Sequence, residues 1–326
     1  MKRGLCGGAV FLFGLFGASV QAAPLLVSHS DSTAFQTIQA AVDALPSGGG
    51  EILLAPGIYR EKLSIAKSGV HIIGTGKTPA EAVIVWGDGA INVGGTFHSA
   101  SLEASGDDFR LDNLTVQNDY SKNPANPPSQ AVALSVTGDK DVFTRVRLLG
   151  AQDTLYAAKA KGGRMARQYF SDCYIEGHVD FIFGNAKAFF QRCELHGIAH
   201  QSVMYTAQSK NAPEEDSAYV FDHCTLTADP AAQGISLGRA WRPYATVIFL
   251  NTKMEAAVIP DGWREWTPGK TDTLKTATYA EYNSTGPGAN PAAREAYSRQ
   301  LSDKEVELWS LKAFFQGDTG WITDKH

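Results

Sequence analysis

The sequence predicts an all-β chain: a single-stranded, right-handed parallel β-helix with an N-terminal capping helix and a C-terminal helical tail. Three observations carry this expectation. A short apolar pattern recurs six times, its copies are unevenly spaced, and glycine is abundant, with 32 in 326 residues. Uneven spacing is expected of a solenoid whose coils carry loops of different length. So many glycines suit numerous tight turns better than long helices.

Each copy of the pattern places a large apolar residue first, a smaller one three positions on, and a third apolar residue two beyond that. The copies begin at Leu111, Phe143, Phe170, Phe190, Phe221 and Phe249. Leu114, Val146, Cys173, Cys193, Cys224 and Thr252 fill the second position; Val116, Leu148, Ile175, Leu195, Leu226 and Met254 fill the third. The last two positions share one face of a strand, because side chains alternate with a period of two. The first breaks that parity, so a bend between first and second must let both point inward. The intervening pairs, such as Asp112-Asn113 and Asp222-His223, are mostly polar and suit a turn. A β-sandwich would need hairpin turns, of which the sequence shows few. Leucine-rich and WD repeats lack their signatures here.

A β-helix exposes a sheet edge and an open core at both ends. Phe35, Ile38, Val42 and Leu45 have helical spacing, with Thr33 and Gln36 placed as a capping box and Pro46 as a stop. Ser302 and Glu305 open a second helical stretch that reaches Phe314 and Phe315.

Composition narrows the classes of function. Hydrophobic residues make up 44% and charged residues 19%, as in an ordinary folded protein. Residues 1–22 read as an export signal: Lys2 and Arg3, an apolar run from about Ala9 to Phe16, then Val20-Gln21-Ala22 for cleavage. The run is too short to span a bilayer. Residues 23–326 then form a single domain, and losing Lys2 and Arg3 takes the formal charge from −5 to −7. That acidity argues against a nucleic-acid partner, and no later segment reads as membrane-spanning. Three cysteines remain after cleavage. Cys173 and Cys193 share a position on successive coils, which predicts a disulfide between them and leaves Cys224 as a free thiol.

The repeat also serves as a ruler. Gly150, Gly177 and Gly197 lie seven residues past their repeat starts, and Asp153 and Asp180 each lie ten past theirs. The two aspartates are therefore expected in register on adjacent coils, about 4.8 Å apart at the strand level. Neighbouring carboxylates push their proton affinities apart, leaving one an acid and the other an anion. Such a pair suits hydrolysis, and at this separation it also suits a retaining glycosidase.

The surrounding residues resemble the pectin methylesterase (pectinesterase) family, of the bacterial secreted type. Gly150-Ala151-Gln152-Asp153-Thr154-Leu155 and Asp180-Phe181-Ile182-Phe183-Gly184 resemble two of its motifs. Gly57-Ile58-Tyr59-Arg60-Glu61, Gln130-Ala131-Val132-Ala133-Leu134 and Leu237-Gly238-Arg239-Ala240-Trp241 resemble three more. The resemblance runs from about Phe35 to the C-terminal region. It implies Asp180 as nucleophile, Asp153 as general acid and then base, Gln130 and Gln152 as oxyanion donors, and Arg239 as the partner of Asp180. It further implies that Trp241, Tyr156, Phe183 and Thr96 line a sugar groove. The implied substrate is methyl-esterified homogalacturonan, whose methyl esters are hydrolysed without cofactor or metal by a secreted (extracellular or periplasmic) monomer. Ala240 departs from the pattern, since the family carries proline there; a proline would stiffen the backbone beside Arg239. A polysaccharide lyase or glycosidase, an esterase for another acyl group and a β-helical binding module are the competing readings.

Overall fold

In the computed structural model, residues 1, 23–270 and 272–323 are described; the predicted export signal, apart from Met1, lies outside them. The strands wind into three parallel sheets, one of eleven strands and two of eight. The eleven-stranded sheet runs from Leu25–Val27 to Arg299–Gln300 and contains the first position of every repeat. The second contains the third positions, in strands such as Arg147–Leu149 and Tyr174–Gly177. The third includes Leu134–Val136, Leu155–Ala157, Ile182–Gly184, Met204–Gln208, Ser236–Arg239 and Trp263–Arg264. This is the right-handed parallel β-helix predicted from the sequence.

The repeat lies in register from coil to coil. Leu111 pairs with Phe143, then Phe170, Phe190, Phe221 and Phe249 in turn. Val116, Leu148, Ile175, Leu195, Leu226 and Met254 form a parallel series on the second sheet. All eighteen repeat positions are buried. The phenylalanines stack at 4.5–4.7 Å between ring centroids. Each buried aromatic contributes about 1.5–3 kcal/mol by removal from water. The parity break has a single cause. Asn113, Arg145, Asp172, Arg192, His223 and Asn251, each just before the second position, adopt positive φ of 49–54°. One left-handed residue per coil turns the chain so that both neighbours face the core, and asparagine and aspartate tolerate that conformation best.

The cysteine expectation is corrected. Cys173, Cys193 and Cys224 are buried free thiols. Each Sγ donates instead to a carbonyl of the preceding coil: Phe143 O at 3.4 Å, Phe170 O at 3.6 Å and Phe190 O at 3.5 Å. In-register side chains on parallel strands point the same way, whereas a disulfide needs its two Cβ atoms to converge.

The helix at the N-terminal end begins later than predicted. It spans Ile38–Ala44, capped by Thr37 rather than Thr33. Phe35 is held extended by a bridge to Val27, so the helix cannot start before it. Glu61 completes the cap by accepting from the N–H groups of Ile38 (2.8 Å) and Gln39 (3.2 Å). At the other end, Ser302 and Glu305 open a helix as predicted, and they do so through a capping box. The tail then breaks into short helices. Phe314, Phe315 and Trp321 pack on the outer face of the eleven-stranded sheet with Phe189, Val220 and Ile248. That covers one face of the β-helix and leaves the third sheet open.

Candidate active site

The turns that enter the third sheet carry the two aspartates. Leu155 pairs with Ile182, so Asp153 and Asp180 stand two residues before equivalent strand positions. The Asp153 N–H donates to Val179 O at 3.1 Å, tying the two turns together. Both aspartates adopt left-handed backbone, with φ of 65° and 53°. That conformation costs little for aspartate and re-aims the side chain out of the wall. Gly177 is required by close approach: a Cβ there would meet Phe181 Cβ at 2.3 Å and Ala151 O at 2.6 Å.

A cleft of about 270 Å³ opens above these turns, lined by Thr96, Phe97, Gln130, Gln152, Asp153, Asp180, Phe183, Ala207, Arg239, Trp241 and Trp266. Asp180 and Asp153 are only 5% and 9% exposed. Arg239 grips Asp180 with a fork: Nε to Oδ1 at 2.9 Å and Nη2 to Oδ2 at 2.7 Å. Such bidentate, charge-assisted bonds fix a carboxylate in orientation as well as charge. The buried core accepts Ala240 in place of proline, and the fork is formed without that stiffening.

Burial raises the proton affinity of both aspartates, but unequally. Asp153 is pushed well above the ordinary carboxylate range by burial and by the neighbouring charge of Asp180, with Arg239 opposing. Asp180 is raised by burial too, but the Arg239 bonds and charge pull it back. Asp153 therefore keeps its proton to higher pH than Asp180 does. His178, whose Nδ1 accepts from the Val179 N–H at 2.7 Å, is lowered to about 4 by burial and the His200 ring, so it adds no cation here.

Gln130 and Gln152 come from neighbouring coils and meet through the Ala131 N–H, which donates to Gln152 O at 3.1 Å. Buried Asn118 ties this wall to the segment bearing Thr96, donating to Ser99 O at 3.0 Å and Val132 O at 2.9 Å. Tyr156 packs on Phe183 at 4.9 Å, and Phe183 on Trp241 at 6.0 Å, which puts the three predicted aromatics along one groove. All nine predicted site residues thus converge here.

Phe97 and Trp266 were not foreseen. Phe97 packs on Tyr156 with tilted rings, 4.9 Å between centroids. Trp266 lies over the Arg239 guanidinium, 4.2 Å from Cζ to the ring centroid. Its segment is organised by Glu265, which accepts backbone N–H bonds from Trp266, Thr273 and Leu274. Burial raises the Glu265 carboxyl, but the Thr273 hydroxyl, which also donates to it, and these backbone bonds together outweigh burial and hold it below its usual range. The only available signal was the tryptophan pair Trp263 and Trp266, which falls outside the six repeats.

The family model described as Pectinesterase matches residues 24–318. The chain belongs to the pectinesterase family. Pectinesterase 31 of Arabidopsis thaliana is 35% identical over 91% of this chain and 94% of its own length. Pectin methylesterase from carrot superposes with a TM-score of 0.81 at 28% identity, covering 92% of this chain and 95% of that one. Pectin methylesterase PemA from Erwinia chrysanthemi gives 0.74 at 29% identity, covering 92% and 98%. A pectin methylesterase solved in complex with hexasaccharide VII gives 0.75 at 29% identity, again covering 92% and 98%. The pectinesterase reaction is hydrolysis of the methyl esters of pectin to free carboxylates and methanol.

Proposed function

We propose that the Asp153–Asp180 cleft carries out this hydrolysis by covalent catalysis. The carrying observation is the asymmetry of the pair: Asp180 is aimed and charge-compensated by the Arg239 fork, while Asp153 is buried beside it without such a partner and its proton affinity is pushed up. Asp180 attacks the ester carbonyl carbon, and the amides of Gln130 and Gln152 donate to the developing oxyanion. Collapse breaks the bond to the methoxyl oxygen as Asp153 gives it a proton, releasing methanol and leaving an anhydride to Asp180. Asp153, now a carboxylate, takes a proton from water, whose oxygen attacks the galacturonate acyl carbon. Asp180 departs as a carboxylate and the free acid is formed. Tyr156, Phe183, Trp241 and Thr96 form the floor and rim against which methyl-esterified homogalacturonan lies. The hexasaccharide complex of the related enzyme supports a groove of several subsites.

We take a monomer as the working unit, since one copy of the chain supplies both aspartates, both glutamines and Arg239. Among the described residues no helix is long and apolar enough to cross a membrane. The charge and hydropathy pattern of residues 1–22 supports export, with residues 23–326 as the mature single domain. The deciding assay is methanol release from esterified pectin. New reducing ends would instead indicate a glycosidase, and unsaturated products a lyase. Light scattering tests the monomer, and N-terminal sequencing of exported protein tests cleavage after Ala22.

A further inference from the structure

The turn that carries Asp153 also holds a buried polar residue that the proposed reaction does not use. Thr154 is fully buried. Its equivalents on the neighbouring coils are Ala133 and Phe181, each one residue before the paired strand positions Leu134, Leu155 and Ile182. Both belong to the hydrophobic core. A hydroxyl in such surroundings costs stability unless it is bonded, so a threonine between an alanine and a phenylalanine needs a reason.

Its bonds supply one. The Thr154 hydroxyl donates to Glu176 O on the next coil at 2.8 Å, with Ala151 O farther off at 3.4 Å. In the other direction, Thr154 O accepts from the N–H groups of Ala133 at 2.9 Å and Leu134 at 3.2 Å. One residue thus reaches the coil of Gln130 through its carbonyl and the coil of Asp180 through its hydroxyl. The other bonds between the two aspartate turns are backbone bonds: His178 N–H to Ala151 O at 2.9 Å, Asp153 N–H to Val179 O at 3.1 Å and Leu155 N–H to Phe181 O at 2.8 Å. Among the described residues, Thr154 is the only side chain of the Asp153 turn that bonds across to the Asp180 coil. Two glycines make its slot. A Cβ at Gly150 would stand 2.6 Å from the Thr154 Oγ1, and one at Gly177 would stand 2.7 Å from the same atom. These glycines occupy the same repeat position on the two coils, so both coils shape the slot.

We infer that Thr154 is a positioning residue for the reaction: its hydroxyl fixes the separation of the Asp153 and Asp180 carboxylates. The inference rests on the proposed division of roles between the two aspartates. Asp153 must stand close enough to Asp180 to feel its charge and to reach the departing methoxyl oxygen. Burial and the Asp180 charge raise the proton affinity of Asp153, and Arg239 lowers it. The nearby His178 is uncharged at neutral pH, lowered to about 4. Without the hydroxyl tie the turns relax apart, the repulsion between the carboxylates weakens, and Asp153 gives up its proton at lower pH.

The test uses Thr154→Val, which keeps the shape and removes the hydroxyl. On esterified pectin its kcat should fall roughly tenfold, with KM within about twofold of wild type. The alkaline limb of its kcat/KM profile should move to lower pH. Thr154→Ser restores the donor and should recover both kcat and the limb. Melting temperatures are read alongside. A lower Tm with kcat and the limb unchanged in the folded enzyme would make Thr154 purely structural and overturn the inference. Equal losses of kcat in Thr154→Val and Thr154→Ser would overturn it too, since the hydroxyl would then not be what matters. If Thr154→Val does not fold, Thr154→Ala against Thr154→Ser decides: the same kcat and limb in both overturns it. Asp153→Ala separates this role from the reading beneath it. Undiminished methanol release in Asp153→Ala would break the acid–base role of Asp153 itself. An inactive Asp153→Ala beside an unimpaired Thr154→Val would remove the positioning role alone.

Discussion

The inner and outer ladders of this β-helix are built on the same register but follow opposite rules. Inside, the first position of the repeat is nearly uniform, leucine once and then phenylalanine five times, all stacked in the core. Outside, along the third sheet, no such uniformity holds: Glu103, Ser135, Tyr156, Phe183, Ala207 and Arg239 follow one another at equivalent strand positions. The inner ladder is constrained because each side chain must fill the same cross-section on every coil. The outer ladder meets solvent and substrate, so each rung is free to take its own chemistry. Scaffold and site are therefore separable: substitutions inside should change stability, and substitutions outside should change the reaction.

The sharpest way to break that separation is at Asp180. Asp180→Ala should abolish methanol release, a loss of at least a thousandfold or ~4 kcal/mol, while circular dichroism still reports the β-helix. Turnover close to wild type would remove Asp180 from the nucleophile role. From the inner side, Phe190→Ala should cost about 3–5 kcal/mol of stability by opening a cavity in the phenylalanine stack. Its kcat/KM below the unfolding transition should stay close to wild type. A large loss of activity in the folded state would show that the ladders are coupled.

Arg239→Lys preserves the charge but loses the planar fork. It should lower kcat/KM by tenfold or more, ~1.4 kcal/mol. The pH profile adds a second reading. Hydrolysis needs Asp180 ionised and Asp153 protonated, so activity should rise with pH as Asp180 loses its proton and fall again as Asp153 does. Burial raises both, and Arg239 lowers both; weakening the fork should move the acid limb upward in pH. An acid limb that stays in place would mean that Arg239 does not tune Asp180.

The smallest effect expected is at Glu265, which holds the Trp266 segment over Arg239 through backbone bonds. Its carboxyl is held below the usual range, so this support is present at neutral pH and lost as pH falls through the folded-state value. Glu265→Gln should raise KM a few-fold, about 1 kcal/mol or less, with little change in kcat. Tryptophan emission should report the loosened segment. An unchanged KM would confine Glu265 to a purely structural role.

The sequence by itself determined the inner ladder, because burial imposes a pattern that recurs and can be counted. It also placed Asp153 and Asp180 in register, since equal offsets from a repeated core residue give equal heights on adjacent coils. The remaining site residues, Gln130, Gln152, Arg239 and the groove residues Thr96, Tyr156, Phe183 and Trp241, were legible only through resemblance, because the outer face has no period to count. Tertiary structure alone decided the rest. It set the left-handed backbone at both aspartates and brought Trp266 onto Arg239, 27 positions away in the chain. It placed the tail on the outer face of the eleven-stranded sheet and left the cysteines side by side as thiols. These outcomes depend on the direction in which a side chain leaves the wall. Direction follows from backbone torsions and from neighbours a coil away, and spacing along the chain does not encode it.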